Sequence, residues 1–398
     1  MATGTVPPLT PLFKVGRHLD GLAPALHLAV RLRWLLCVIG AVQGAAPIAN
    51  GGLMPADFIR FARAGKQILL GRFSGIYADP WMQAGPLELL GSWALFPFDH
   101  QHQAAYVREG LEGQLWLRAT LGAALVAGAL LLVRHLRRVH GRSASPAMEL
   151  AAGVAAVLTA VPYVFLLGGH LAQFGVALMW VLGASLAVRG RTVAAGVVIG
   201  LSAGWEPWGV LAAGLLLTER RPVRLVVGCA AFAVAAVACY LPFVAAGRFE
   251  MFELEWAVLP GTLVSSLNPG LDHFSWPLRL LQGLAAGAAG AGAALALGRR
   301  PDLIWAGPLA VLLARLLFDP LMLSYYWYPF LIAVVIGIGL LHSRCSVPRS
   351  VLVLALTAVP IVRYRFLAGH DITLLVIAAA LLIALAVLLR REEAVVSP

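Results

Sequence analysis

The chain has 398 residues, 60% of them hydrophobic and only 12% charged, with a formal net charge of +11. Together with a mean hydropathy of +0.85, this balance excludes a soluble globular domain of such length and calls for lipid as the solvent. The basic excess gathers at the ends of apolar segments, which argues for anionic cytoplasmic lipid as its partner and against nucleic acid.

Residues 1–33 read as a cytoplasmic N-terminal segment without a cleavable signal sequence, followed by a first span that serves as signal anchor. Ten full transmembrane helices are expected at residues 34–50, 116–134, 148–166, 171–188, 223–244, 277–297, 302–318, 322–341, 349–366 and 372–390. Each approaches the roughly 20 residues that a bilayer core requires. Residues 51–115 form a long extracytoplasmic loop and residues 391–398 a cytoplasmic tail. In that loop, residues 55–70 carry Phe58, Phe61 and Ile68 on one side and Arg60, Arg63 and Lys66 on another, the pattern of an amphipathic interfacial helix.

The stretch from 192 to 217 is too long for one ordinary span and is broken by Gly204-Trp205-Glu206-Pro207-Trp208. Read as one kinked span, it would place Arg299, Arg300, Arg344, Arg349, Arg390 and Arg391 outside, against the positive-inside rule. Read as a re-entrant hairpin with arms reaching roughly 18 Å each, it keeps those arginines and both termini cytoplasmic. The fold expected is therefore an all-α polytopic bundle of about ten helices plus a re-entrant hairpin. The four cysteines, Cys37, Cys229, Cys239 and Cys345, lack metal-ligand spacing, and neither a metal nor a cofactor is expected.

Carboxylates concentrate on the outer side. Asp57, near the start of the interfacial helix, suits either a helix N-terminus or a general base for a sugar hydroxyl. His170 follows Gly168-Gly169 at a tight outer turn, with Gln173 one turn on, and can bond a hydroxyl or a phosphate or simply anchor the interface. Asp319 precedes Pro320, and Tyr325 and Tyr326 open the next span, a mixture of acids and aromatic faces that suits carbohydrate and equally an aromatic belt. Arg315, Arg363 and Arg365 lie within spans near their outer ends, where an arginine needs an anion or a path to water. A lipid-linked phosphate would satisfy them, with His370 bordering the same face. Glu206, at the hairpin tip, demands a partner or a cavity.

The pieces Asp57-Phe58-Ile59-Arg60-Phe61-Ala62-Arg63-Ala64-Gly65, Leu70-Gly71, Tyr77 and Gln83-Ala84-Gly85-Pro86-Leu87 resemble the first outer loop of GT-C superfamily membrane glycosyltransferases. Gly169-His170 with Gln173, the run into Glu206-Pro207-Trp208, and Asp319-Pro320 with Tyr325-Tyr326 resemble them in the same order, most nearly the actinobacterial polyprenyl-phosphate-mannose-dependent mannosyltransferases. The resemblance implies inverting transfer of a sugar, mannose for this group, from a polyprenyl-phosphate donor to a lipid or glycan acceptor on the extracytoplasmic face. By it Asp57 is the catalytic base and Tyr77 joins the substrate-binding residues. The chain departs from many relatives in carrying Glu206 where they have lysine. A transporter or flippase using the broken hairpin, and a non-catalytic scaffold, are the readings to set against an enzyme.

Overall fold

The computed structural model describes residues 23–49, 56–95, 111–162, 169–297, 299–341, 347–367 and 369–396. The helices are α1 (Ala23–Arg31), α2 (Leu36–Ala49), α3 (Ala56–Leu69), α4 (Pro86–Leu95), α5 (Leu111–Val139), α6 (Pro146–Leu158), α7 (Ala172–Val188), α8 (Thr192–Ser202), α9 (Pro222–Ala246), α10 (Leu263–Leu267), α11 (Trp276–Leu297), α12 (Ala306–Leu317), α13 (Tyr328–Leu340), α14 (Val347–Arg365) and α15 (Asp371–Val396). Two-residue strands, β1 (Trp256–Ala257) and β2 (His273–Phe274), pair antiparallel with Trp256 opposite Phe274.

Each of the ten expected apolar segments is helical at least in part. Among the described residues four helices, α5, α9, α11 and α15, are long and apolar enough to cross a membrane, and the chain is a helical membrane protein. The other helices are shorter. α13 has 13 residues, about 20 Å at 1.5 Å per residue, against a hydrocarbon core of about 30 Å.

Two boundaries depart from expectation. α15 continues to Val396, past the expected end of the span at 390; Arg, Glu and Ala are good helix formers and prolong the apolar helix. α5 starts at Leu111, inside the stretch expected to be loop. Between α2 and α5, α3 forms as its amphipathic pattern predicts, with Phe58, Phe61 and Ala62 buried.

Burial sorts the helices by solvent. Every residue of α13 is buried, and α5, α6, α7, α12 and α14 pack around it. α9, by contrast, exposes Val223, Val226, Val227, Val234, Val237 and Leu241, a valine-rich surface stable only in lipid. Small residues permit close crossings: a Cβ on Gly40 of α2 would lie 2.6 Å from the Gly122 carbonyl oxygen of α5.

The broken segment is a hairpin. α8 rises to a turn at Ala203–Trp205, and a 3₁₀ arm, Pro207–Thr218, returns alongside it. At the tip the Ser202 hydroxyl lies 2.9 Å from the Gly209 carbonyl, and at the mouth the Thr192 hydroxyl donates to the Glu219 carboxylate over 3.0 Å. Both ends of the segment therefore sit together, which a single kinked span cannot achieve.

The bundle has two chemically different ends. At the mouth end, arginines tie the connections together. Glu149 accepts from Arg33 at 2.9 Å and from Arg134 at 2.7 Å, and Arg137 donates to the Leu341 carbonyl at 3.1 Å. Asp302 pairs with Arg142 and Arg349, and Arg220 reaches the Leu295 carbonyl at 3.1 Å. The guanidinium groups satisfy carbonyls left open at helix C-termini. The hairpin tip points to the opposite end, where α3 and α4 lie.

Candidate functional site

α3 carries Asp57 in its first turn, a favourable place for a carboxylate at the positive end of a helix dipole. Facing it is His170, delivered by a turn in which Gly169 takes φ +69°, a left-handed conformation that glycine adopts without steric cost. The Asp57 carboxylate stands 3.4 Å from His170 Nε2, with the Asp57 side chain 54% exposed and that of His170 only 13%. The imidazole stacks on Tyr325 at 4.1 Å and 17°, and Phe61 meets it edge-on at 5.7 Å. The aromatic rings fix the plane of the imidazole, leaving Asp57 as its accessible partner.

The pair is electrostatically matched. The His170 hydrogen bond holds the Asp57 carboxyl below the usual carboxylate range, against the opposing effect of partial burial. Burial disfavours a charge on His170, but the Asp57 hydrogen bond and the nearby carboxyl groups outweigh it and hold the imidazole above its usual range. Glu88 is fully enclosed, and burial pushes its carboxyl above the usual range. Its Oε1 accepts the Ala172 N–H at 3.0 Å, so one carboxyl from α4 caps the start of α7.

The hairpin tip completes this half of the site. Gln173 Nε2 donates to Glu206 over 3.0 Å, while Gln173 Oε1 is buried without a partner among the described residues. The tip is locked to the start of α4 by backbone bonds: Gly85 N–H donates to the Trp205 carbonyl at 2.7 Å and Leu87 N–H to the Gly204 carbonyl at 2.6 Å. The contact leaves no room for a side chain, since a Cβ on Gly85 would lie 2.3 Å from the Gly204 oxygen.

The second half is built around Arg315, two residues from the end of α12. Its guanidinium lies over Trp208 at 4.2 Å and over Tyr326 at 4.8 Å, a cation between aromatic faces. Arg315 Nη2 is 3.8 Å from Asp319, but Nη1 is buried and finds no hydrogen-bond partner among the described residues. Asp319 is wholly buried and accepts from Arg279 at 3.1 Å, Gln282 at 3.3 Å and the Leu321 N–H at 2.9 Å. Arg279 in turn lies 4.2 Å over Trp256, which ties the 256–274 ribbon to the cluster.

The halves join through tyrosines. Tyr325 stacks on His170, packs edge-on against Tyr326 at 4.8 Å, and Tyr326 lies under Arg315. Asp57, His170, Gln173, Tyr325, Tyr326 and Arg315, all singled out in the sequence, thus belong to one connected cluster.

Other expected site residues have different duties. Tyr77 is buried among Tyr240, Phe243 and Phe249, and its hydroxyl donates to the Ala84 carbonyl at 3.0 Å; packing, not the cluster, claims it. Asp319 is saturated by protein donors and serves as the counter-charge that holds Arg315 and Arg279. Arg363 pairs with Asp371 at 2.7 Å and leans on Trp327 at 5.4 Å, joining α14 to α15. His370 is exposed, and the Arg365 side chain lies outside the described residues. The sequence reading passed over Glu88, Arg279 and Gln282. Glu88 and Arg279 carry the signal that marked Arg315, a charge inside an apolar segment.

Among the described residues no group of three or more His, Cys, Asp or Glu side chains is arranged to hold a metal ion. No protein-family model matches the chain, and no curated protein matches it.

Proposed function

We propose that the protein is a membrane glycosyltransferase that moves a sugar, mannose by its sequence resemblance, from a polyprenyl-phosphate donor to a lipid or glycan acceptor on the extracytoplasmic face. The observation that carries this reading is the chain of contact from Asp57 through His170, Tyr325 and Tyr326 to Arg315. It sets an accessible carboxylate and a buried guanidinium with an unused N–H at the two ends of one aromatic-lined cluster. A transfer from a phosphate-linked sugar needs that pair of groups: a base for the incoming hydroxyl and a cation for the departing phosphate.

In this reading ten segments cross the bilayer and the hairpin enters and leaves from the cytoplasmic side, where the arginine end of the bundle lies. Asp57 takes the proton of an acceptor hydroxyl as its oxygen attacks the anomeric carbon. The bond from that carbon to the phosphate oxygen breaks on the opposite face, the configuration inverts, and polyprenyl phosphate departs with its charge met by Arg315. His170 keeps Asp57 ionised and oriented before the acceptor arrives.

The test is transfer of labelled mannose from polyprenyl-phosphate mannose into lipid and glycan extracts, comparing wild type with Asp57→Asn and Arg315→Met at matched expression. Product from wild type alone supports the assignment. Transfer unchanged in Asp57→Asn would remove the base. Solute or lipid flux in proteoliposomes with no glycosidic product from any donor would replace the enzyme by a transporter.

A further inference from the structure

The mouth of the hairpin carries more positive charge than the protein itself engages. Two loops meet there, one joining α7 to α8 and the other joining the 3₁₀ arm to α9. The first reads Arg189-Gly190-Arg191-Thr192 and the second Glu219-Arg220-Arg221-Pro222-Val223-Arg224. Arg220 reaches the Leu295 carbonyl. The side chains of Arg189, Arg191, Arg221 and Arg224 are exposed and make neither a hydrogen bond nor an ion pair among the described residues.

The fold brings the loops together. α7 closes with Gly190 N–H donating to the Ala187 carbonyl at 2.9 Å and Arg191 N–H to the Leu186 carbonyl at 3.0 Å. Gly190, at φ +71°, supplies the left-handed residue that this ending requires. Arg189 and Arg191 thereby flank a residue with no side chain, and Arg224 reaches across to it: a Cβ on Gly190 would lie 4.0 Å from Arg224 Nη1. Glu219 bridges the loops, accepting from the Thr192 hydroxyl at 3.0 Å and from the Arg221 N–H at 3.0 Å.

Charge identifies the occupant. The other carboxylates at this end, among the described residues, are already matched: Glu149 by Arg33 and Arg134, and Asp302 by Arg142 and Arg349. Glu219 alone therefore faces the unengaged guanidiniums. His140, half-buried and 2.9 Å from the Ser185 hydroxyl, feels the same field: burial first, then Arg189 and Arg142, push its imidazole down to about 4. One phosphodiester would leave most of this charge unmet, whereas a headgroup with two phosphates can span both loops. The adjoining surface is apolar. α8 exposes Val193 and Val197, and α9 exposes Val223, Val226 and Val227, all within about 10 Å of helical rise from the arginines. Acyl chains cover such a surface, and a soluble anion does not.

We propose that the mouth of the hairpin binds one phospholipid whose headgroup carries two phosphates, bridging Arg189 and Arg191 on one loop to Arg221 and Arg224 on the other. The lipid closes the open end of the hairpin, at the opposite end of the bundle from the Asp57 cluster. The inference does not depend on the glycosyltransferase reading, since the site holds a structural lipid whatever the reaction.

The experiment measures binding to the purified full chain in neutral detergent, by native mass spectrometry and by the shift in melting temperature. The probes are cardiolipin, phosphatidylglycerol, phosphatidylcholine and inorganic pyrophosphate. Wild type is expected to retain one cardiolipin, to bind it at least about tenfold more tightly than phosphatidylglycerol, and to melt higher with it. The double variant Arg191→Gln, Arg224→Gln is expected to lose that preference while its lipid-free melting temperature stays at the wild-type value. Arg390→Gln, Arg391→Gln removes the same charge at exposed positions of α15 and is expected to keep the preference. Equal loss in both double variants reduces the attraction to that of any basic surface for anionic lipid and overturns the site. Cardiolipin bound no more tightly than phosphatidylglycerol overturns it too. Pyrophosphate bound as tightly as cardiolipin overturns the lipid in favour of a soluble anion.

Discussion

The Asp57 carboxylate and the His170 imidazole lie 3.4 Å apart, one in the first turn of α3 and the other in a turn before α7. Each favours the charged form of the other. Replacing Asp57 by Asn keeps the shape and a weaker bond to His170 but removes the base that the proposed transfer needs. Transfer is expected to fall by about 10²–10⁴-fold, with donor binding near that of wild type and the melting temperature lowered only by loss of the ion pair, as a transfer assay and a thermal scan of the same preparation would read.

The pair also predicts a pH signature. Asp57 has its folded value lowered from 3.8, so its contribution to stability is present above 3.8 and is lost as pH falls through the lower folded value. His170 has its value raised from 6.5, so its contribution is complete below 6.5 and is lost as pH rises through the higher folded value. The difference in melting temperature between wild type and His170→Phe is therefore expected to be greatest between pH 3.8 and 6.5 and to shrink on both sides. A flat difference across that range would show that the ion pair does not contribute.

The role proposed for Arg315 rests on a planar cation held between Trp208 and Tyr326 with one N–H unused. Arg315→Lys keeps the charge but loses the plane and the spare donor, and it is expected not to restore activity. Donor KM in Arg315→Lys and Arg315→Met should rise together, by about tenfold or more, for one charge-assisted bond to phosphate. Asp319→Ala should instead lower stability, by about 3–5 kcal/mol, because it strands the buried Arg315 and Arg279.

The lock between the start of α4 and the hairpin tip gives a third kind of test. Gly85→Ala forces a methyl against the Gly204 carbonyl, and overpacking of this sort costs about 1–3 kcal/mol. Because the same bonds hold Trp205 and, next to it, Glu206, the variant is expected to lose both melting temperature and transfer. Loss of activity with unchanged melting would show that the tip moves without affecting the fold.

Topology can be read with impermeant thiol reagents on a background lacking native cysteines. The Thr192–Glu219 bond puts both ends of the hairpin together, so Arg191→Cys and Arg220→Cys should label from the same side, and Ser74→Cys from the other. Labelling of Arg191→Cys and Arg220→Cys from opposite sides would contradict the hairpin.

The sequence alone determined the solvent, the helical class and the segments that become helices, because hydropathy and period are local sums over residues that touch in the chain. It also determined the hairpin: the arginines of later loops sort to one side only if the 192–217 stretch turns back, and charge placement is legible without coordinates. It marked Asp57, His170, Gln173, Tyr325, Tyr326 and Arg315 one at a time. Only the tertiary structure decided which marked residues meet. Tyr77 looked as suitable as Tyr325, yet one hydroxyl is consumed by the Ala84 carbonyl while the other ring stacks on His170. Glu88 went unnoticed because its purpose, capping a helix far along the chain at Ala172, exists only after folding. Asp319 and Arg363 changed from ligand contacts to internal ion partners for the same reason. A charge inside an apolar segment announces that it needs a counter-charge, but packing between distant segments decides whether the protein or a substrate provides it.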